Sequence, residues 1–317
     1  MDCRPTVPRA VGRPRFGPPI EDALAGYSLC EARCLCFDGA MNGTRPVIQI
    51  EHAEDPRIAD YRNLKDAQLA RDRDRFIVEG RGNLRVLLER SPFKPESILL
   101  SERAYHALEA ELPKTADAPP IYRAEQAVLD GIVGFPIHRG VLAVCPRGEA
   151  ADPNALAASL VEREPAPRIV VLEGLINHDN VGGIFRNAMG LGARGVFLCD
   201  RTADPLYRKA IRTSMGGSLV VPFARNARGA GIADLLGGLR RQGFNVCALD
   251  PDPAGVDLAE LEPAGLGPVA LLVGTEGEGL SEQALQASDY RVRIEMETGV
   301  DSLNVSVAAA IALHRFR

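Results

Sequence analysis

The 317-residue sequence contains no tryptophan, and Phe and Tyr bring its aromatics to only 5%. Platforms that stack successive bases are built from aromatic side chains, so a large one is excluded. Surplus positive charge is lacking too. The 37 Lys and Arg stand against 42 Asp and Glu, a formal net charge of -5, which by itself argues mildly against a nucleic-acid partner. No apolar run approaches the roughly 20 residues that a bilayer-spanning helix needs, so no membrane is expected as a partner. The seven Cys are odd in number and scattered. With no stretch resembling a secretory signal, they read as free thiols in a reducing cytoplasm. The trio Cys30, Cys34 and Cys36 raises the question of a metal. Structural zinc sites favour two Cys pairs, or Cys with His, and no second pair stands at a matching distance, so no metal is expected.

Composition changes along the chain. Residues 1–40 are rich in Pro, Arg and Gly without periodicity and are expected to be disordered. Met41 opens a more ordinary protein start, MNGTRPVIQIEHAEDPRI, and the expectation is that translation begins there, with 41–56 as a lead-in. Residues 57–147 read as a small α/β unit. Its strands are FIVEG (76–80), SILLSE (97–102) and GVLAVC (140–145), and its short helices are 84–90 and 105–112. The segment 57–95 carries ten Lys and Arg against six Asp and Glu, a locally basic stretch inside an acidic chain. It reads either as a binding face or as a solvated charged helix, since Arg71 to Arg75 alternate in sign. Residues 148–167, with Pro, Ala and charge, suit a linker.

From Arg168 the texture becomes strand-helix alternation to residue 317. Strands are predicted at 168–174, 195–199, 219–224, 244–250, 269–274 and 290–296. Helices are predicted at about 181–191, 206–215, 231–242, 281–287 and 304–315. Continuous apolar strands between helices imply a mostly parallel sheet covered on both faces. The dinucleotide fingerprint GxGxxG is absent: Gly174, Gly182 and Gly183 have the wrong spacing, and VGTEGEG runs GxxGxG. Neither Gly cluster is followed by the Lys and Ser/Thr of a phosphate-binding P-loop.

Three segments carry the chemistry. In NHDNVGGIFRNA (177–188), Asn180 suits the cap of a helix starting at Val181. Gly182 and Gly183 are poor helix formers and imply a close approach by backbone or ligand. Arg186 sits on an otherwise apolar helix, where it either snorkels to solvent or faces an anion. In LLVGTEGEGLSE (271–282), a buried strand ends in Gly274, Thr275, Glu276, Gly277, Glu278 and Gly279 before a helix capped by Ser281. This is either a plain turn or a loop whose backbone groups bind a ligand edge. In IEMETGVDSLNVSVAAAIALHRF (294–316), Ser302 and Asn304 place short hydrogen-bonding groups at a helix start, where free amides and the helix dipole favour negative charge.

In order and spacing these segments resemble the three signature motifs of the SpoU (TrmH-type) RNA 2′-O-ribose methyltransferases of the SPOUT superfamily, over roughly the last half of the chain. RFIVEG (75–80) and IVGFPIHRGVLAVCPR (132–147) resemble the ribosomal-protein-like RNA-binding domain that precedes the catalytic domain in many members. The resemblance implies an α/β fold with a trefoil-knotted C-terminal domain, a homodimer, and RNA, not DNA, as partner. It implies S-adenosylmethionine as cofactor, held by Gly274, Thr275, Glu276, Gly277, Gly279, Ile294, Met296, Ser302, Leu303 and Asn304. Arg186 would act at the ribose 2′-hydroxyl, with Asn180, Ser302 and Asn304 as catalytic partners, and His138, Arg139 and Arg186 would contact RNA. Glu295 and Glu297 depart from the family pattern, which commonly has Pro and Gly there, while GVDSLNVSVA is intact. A ribosomal RNA substrate is expected. The alternatives are transfer RNA, a non-catalytic RNA-binding protein of the same fold, and an NAD- or nucleotide-dependent enzyme, which the glycine spacing disfavours.

Overall fold

The computed structural model describes residues 47–62, 66–115, 117–133 and 140–316. Residues 1–40, Met41, the Cys30, Cys34 and Cys36 trio, and His138 with Arg139 lie outside the described residues.

Two sheets organise the chain. The first is built from β1 (Val47–Ile50), β2 (Arg75–Glu79), β3 (Ser97–Ser101), β4 (Ile121–Ala124) and β5 (Val141–Pro146), in the order β1-β4-β3-β5-β2. β1, β4 and β3 run parallel, whereas β5 is antiparallel to both β3 and β2. The helices of this half are α1 (Asp66–Arg73), α2 (Arg81–Arg90), α3 (Glu102–Leu108) and α4 (Gln126–Val133). Alternation sorts side chains between the two faces. Phe76 and Val78 enter one core with Leu84, Ile98 and Leu100; Ile77 enters the other with Ile50, Tyr61 and Leu99. The lead-in stretch therefore belongs to the sheet, because Val47–Ile50 supplies its edge strand. β1 and β4 escaped prediction because four-residue strands give little periodic signal, and the eight-residue α4 was not predicted either.

The stretch read as a linker carries α5 (Pro153–Arg163). The Asp152 side chain accepts from the Ala155 amide at 2.8 Å, and Pro153 fills the first turn. Leu156, Ala157 and Leu160 recur at helical spacing and are buried. The Pro-Ala composition that suggested a linker is a helix start instead.

The second sheet is all parallel. Its strands are β6 (Arg168–Leu172), β7 (Gly195–Leu198), β8 (Phe223–Arg225), β9 (Asn245–Leu249), β10 (Val256–Asp257), β11 (Val269–Val273) and β12 (Tyr290–Arg293), in the order β10-β12-β9-β11-β6-β7-β8. Its helices are α6 (His178–Leu191), α7 (Arg208–Thr213), α8 (Ile232–Arg241), α9 (Glu282–Gln286) and α10 (Val305–Arg315). One face, with Val170, Leu172, Leu271 and Val273, packs on Phe185 of α6 and Leu313 of α10. The other, with Ile169, Val171, Ala270 and Leu272, packs on residues of α5 and α8. Residues 219–222 of the strand predicted at 219–224 are not strand: Leu219 ends a 3-10 turn (Gly217–Leu219) and 220–222 lead from it into β8 (Phe223–Arg225), because Leu219 is taken into the core of the first sheet while Val221 stays with the second.

The two halves share that core. Leu206, Ile211 and Leu219 join Phe76, Leu84 and Leu87. Ser91 donates to the Leu219 carbonyl at 2.8 Å, Arg147 pairs with Asp204 at 2.7 Å, and Arg208 with Asp66 at 2.9 Å.

Candidate active site

The second sheet determines what meets what. β6 and β11 are neighbours, β9 flanks β11, and β12 flanks β9. The chain leaving β6 leads into α6, the chain leaving β11 is the Gly274–Ser281 loop, and the chain leaving β12 runs to α10. All three motifs thus start from carboxyl ends of one parallel sheet, where open α/β sheets place ligands.

α6 starts three residues earlier than predicted. Asn177, not Asn180, is its cap, accepting from the Asp179 amide at 2.8 Å. Asn180 is thereby released from capping. It is 5% exposed, and its side-chain oxygen accepts from the Asn304 amide nitrogen at 2.9 Å. Asn304 caps α10, its oxygen accepting from the Ser306 amide at 3.0 Å and the Ser306 hydroxyl at 2.7 Å. Asn187 of α6 donates to the Ser306 carbonyl at 2.7 Å. A Cβ on Gly183 would come 2.9 Å from Ser306, and one on Gly182 would come 2.7 Å from the Ala210 carbonyl. The glycines in this helix let α10 approach on one side and α7 on the other.

Arg186 faces solvent on α6 and makes no side-chain hydrogen bond or ion pair among the described residues. Of the two readings of this Arg, the snorkelled one describes its position, and its charge is left available for an anion from outside.

After β11 the chain folds back on itself. Thr275 and Gly279 exchange backbone hydrogen bonds of 3.1 Å each way, and Gly277 and Gly279 hold φ of +94° and +71°. A Cβ on Gly274 would come 2.6 Å from the Leu280 nitrogen, so only glycine fits beneath the fold-back. The Glu276, Gly277 and Glu278 amides make no hydrogen bond among the described residues, and all three residues are exposed. Glu173, at the end of β6, anchors the loop: its carboxylate accepts from the Ser281 hydroxyl at 2.6 Å and the Ser281 amide at 3.0 Å.

Between β12 and α10, Ile294 and Met296 are half-buried, and Ile294 packs on the core that holds α6 and α10. Leu303 is 37% exposed, and Ser302 is exposed without a partner among the described residues. Hydrogen bonds tie Asn180 to Asn304; Ser302 and Glu276 are brought to the same sheet edge without being tied to either.

Sequence reasoning missed Glu173, Asn187 and Ser306. The available signals were a carboxylate closing the apolar run RIVVLE and an amide on an apolar helix. It also missed how His178 stacks on Tyr207, with ring centroids 5.0 Å apart, and how Asp179 pairs with Lys209 at 2.8 Å. Lys209 first, and then the Thr213 hydroxyl, hold the Asp179 carboxyl below its ordinary value. Half of the cations in the basic stretch 57–95 are paired, two inside the segment and three across its borders: Arg71 with Asp72 and Arg73 with Asp60, and Arg57 with Asp55, Arg75 with Glu96 and Arg85 with Glu111.

Comparison with known proteins gives the family and the fold. Residues 167–314 match the family model described as the SpoU rRNA Methylase family. A Mycobacterium bovis protein named an uncharacterized tRNA/rRNA methyltransferase is 39% identical over 267 residues, spanning 82% of this chain and 88% of the relative. The chain belongs to the SpoU rRNA methylase family. A Sinorhizobium meliloti rRNA methyltransferase solved with AdoMet bound superposes with a TM-score of 0.72 at 23% identity, over 86% of this SpoU chain and 97% of that one. A structure described as an RNA 2′-O ribose methyltransferase superposes with a TM-score of 0.65 at 25% identity, over 84% and 97%. Among the described residues no helix of this SpoU protein is long and apolar enough to cross a membrane, and no three His, Cys, Asp or Glu are grouped to hold a metal ion.

Proposed function

We propose that the protein transfers a methyl group from S-adenosylmethionine to a ribose 2′-hydroxyl of ribosomal RNA. One observation carries the reading. A solvent-facing Arg186, unpaired among the described residues, stands on a helix whose first turn is locked to the start of α10 by the 2.9 Å bond from Asn304 to Asn180.

The Gly274–Ser281 loop fits the cofactor. Its free amides at 276–278 suit the hydrogen-bonding edges of an adenosyl group, and the exposed Glu276 carboxylate is opposite in charge to a sulfonium. Gly274, Thr275, Gly277 and Gly279 would form the backbone cradle. Ile294, Met296 and Leu303 would supply apolar surface, and Ser302 with Asn304 the polar end. The bound cofactor supplies an activated methyl, so the reaction asks of the protein placement and help with the hydroxyl proton.

Arg186 stabilises the forming ribose oxyanion and holds the adjacent phosphate; a guanidinium stays protonated, which disfavours it as an ordinary base. Asn180, buried and oriented by Asn304, positions the ribose. We extend the reading to the family's homodimer, on the support of Val307 and Ile311, which leave an apolar strip on the outer side of α10. The trefoil knot in the C-terminal segment goes with it, supported by the seating of the chain's last helix against α6. His138 and Arg139 are retained as RNA contacts of the first half.

Mapping of alkali-resistant 2′-O-methyl positions in total RNA, with and without the gene, tests the function. Loss of one ribosomal site on deletion is the expected result. Loss of a transfer-RNA site would move the substrate, and an unchanged map together with no binding of S-adenosylmethionine would sink the reading.

A further inference from the structure

Two described residues other than glycine hold a left-handed backbone: Asp74 at φ +52° and Met215 at φ +54°. Aspartate visits that region at small cost, whereas methionine does so only under constraint. Met215 ends α7. Its amide bonds to the Arg212 carbonyl at 3.1 Å, and the Gly216 amide to the Ile211 carbonyl at 3.0 Å. This bond pair defines the helix-ending turn whose left-handed position is usually glycine. Here the left-handed position is methionine, with glycine following it. Strain of this kind persists only where the surrounding contacts enforce it, and it clusters at active sites and ligand clamps.

The side chain does not serve the core. Met215 is 53% exposed, while residues 216–220 after it are all buried. The turn is wedged between the two halves of the molecule. A Cβ on Gly216 would come 2.9 Å from Val86 of α2, and one on Gly217 would come 2.8 Å from the Phe185 carbonyl and 3.3 Å from the Arg186 amide. Met215 is therefore presented two residues from the backbone of Arg186, where the first half abuts the second. Lys209 and Arg212 precede it at three-residue steps and are exposed as well. Lys209 is engaged by Asp179, while Arg212 makes no ion pair among the described residues.

An apolar, polarizable side chain bordered by exposed cations is complementary to an unstacked nucleobase with its flanking phosphates. We infer that Met215 is a substrate-contact residue. Its thioether packs on the base of the nucleotide presented for methylation, or of its immediate neighbour, and Arg212 takes an adjacent phosphate. The inference deepens the RNA methyltransferase reading and rests on it.

The test compares the full-length protein with Met215→Gly and Met215→Leu, using labelled S-adenosylmethionine and ribosomal RNA from cells lacking the gene. Glycine relieves the backbone, so Met215→Gly is expected to melt no lower than the parent. Its cofactor affinity should stay within about twofold, while kcat/KM for RNA falls about tenfold. Met215→Leu keeps apolar bulk and should stay within about threefold. A Met215→Gly protein that methylates RNA like the parent overturns the inference. Peroxide oxidation read by mass spectrometry provides a second measurement that needs no turnover. Met215 should oxidise readily in the free protein and be protected by ribosomal RNA, but not by cofactor alone. Protection that grows with protein concentration without RNA would mean that a second copy covers the residue, and would overturn the inference. RNA protection in a parent protein that transfers no methyl would sustain the contact while removing the proposed reaction.

Discussion

At the scale of single residues, Arg186 and Asn180 divide the work by environment. Arg186 has no partner to lose among the described residues, so its replacement leaves no orphaned carboxylate there and little structural consequence. Arg186→Ala is expected to lower the methylation rate about 10²–10³-fold, the scale for removing one preorganised charge-stabilising donor, with cofactor affinity nearly unchanged. Single-turnover transfer and calorimetric titration of the cofactor measure the two separately, and a matching collapse of both would count against this role. Asp179 is a different case. Lys209, and then Thr213, lower its pKa from an ordinary 3.8. A depressed carboxylate contributes stability that is present above its unfolded value and is lost as the pH falls through its folded value. Asp179→Asn should therefore melt below the parent at neutral pH, with the gap closing toward the acid end of a calorimetric pH series. A gap that widens on acidification would refute the assignment.

At the scale of elements, the site depends on how α10 and the glycine loop are seated. Asn304 both caps α10 and grips Asn180, so one side chain serves helix stability and site geometry. Asn304→Ala is expected to cost about 0.5–2 kcal/mol for the lost cap and to slow transfer more than that loss of folded protein explains. Denaturant titration beside kcat separates the two. Glu173 holds the loop through both the amide and the hydroxyl of Ser281. Glu173→Gln keeps an acceptor but loses the charge assistance of these bonds, worth about 1 kcal/mol, so the Kd for S-adenosylmethionine should rise about fivefold with kcat at saturation little changed. An unaltered Kd by calorimetry would show that the anchor does not shape the cofactor site.

At the scale of the whole molecule, the two sheets share one core, and α10 carries an uncovered strip. Leu206, Ile211 and Leu219 come from the second half yet are buried with Phe76 and Leu84 of the first. Val307 and Ile311, four residues apart on α10, are 47% and 39% exposed, and Leu303 lies one turn before Val307. A second copy of the chain would bury this strip. Charging it with Val307→Glu and Ile311→Glu together is expected to give a monomer in analytical ultracentrifugation without lowering the melting temperature of the isolated chain. If the parent chain sediments as a monomer at micromolar concentration, the dimer is wrong.

What could be read without coordinates follows from local physics. Strands such as RIVVL and VALLV are continuous apolar runs, so a buried parallel sheet was legible, and the glycines of 274–279 and the Ser/Asn start of α10 marked the places where backbone groups are freed. Asn177 rather than Asn180 as the cap was not legible, because both have the same chemistry and only the partner across space, Asn304, settles which is released. The same holds for the basic stretch at 57–95, whose charges are neutralised in part by Glu96 and Glu111 from outside the segment. The sequence by itself determined element types and the chemical inventory of the site, since periodicity, caps and glycine act within a few residues. Tertiary structure alone decided which polar groups are paired, which stay free and which strained side chain faces solvent, because those depend on contacts beyond the reach of local periodicity, some between residues more than a hundred positions apart, as with Asn180 and Asn304.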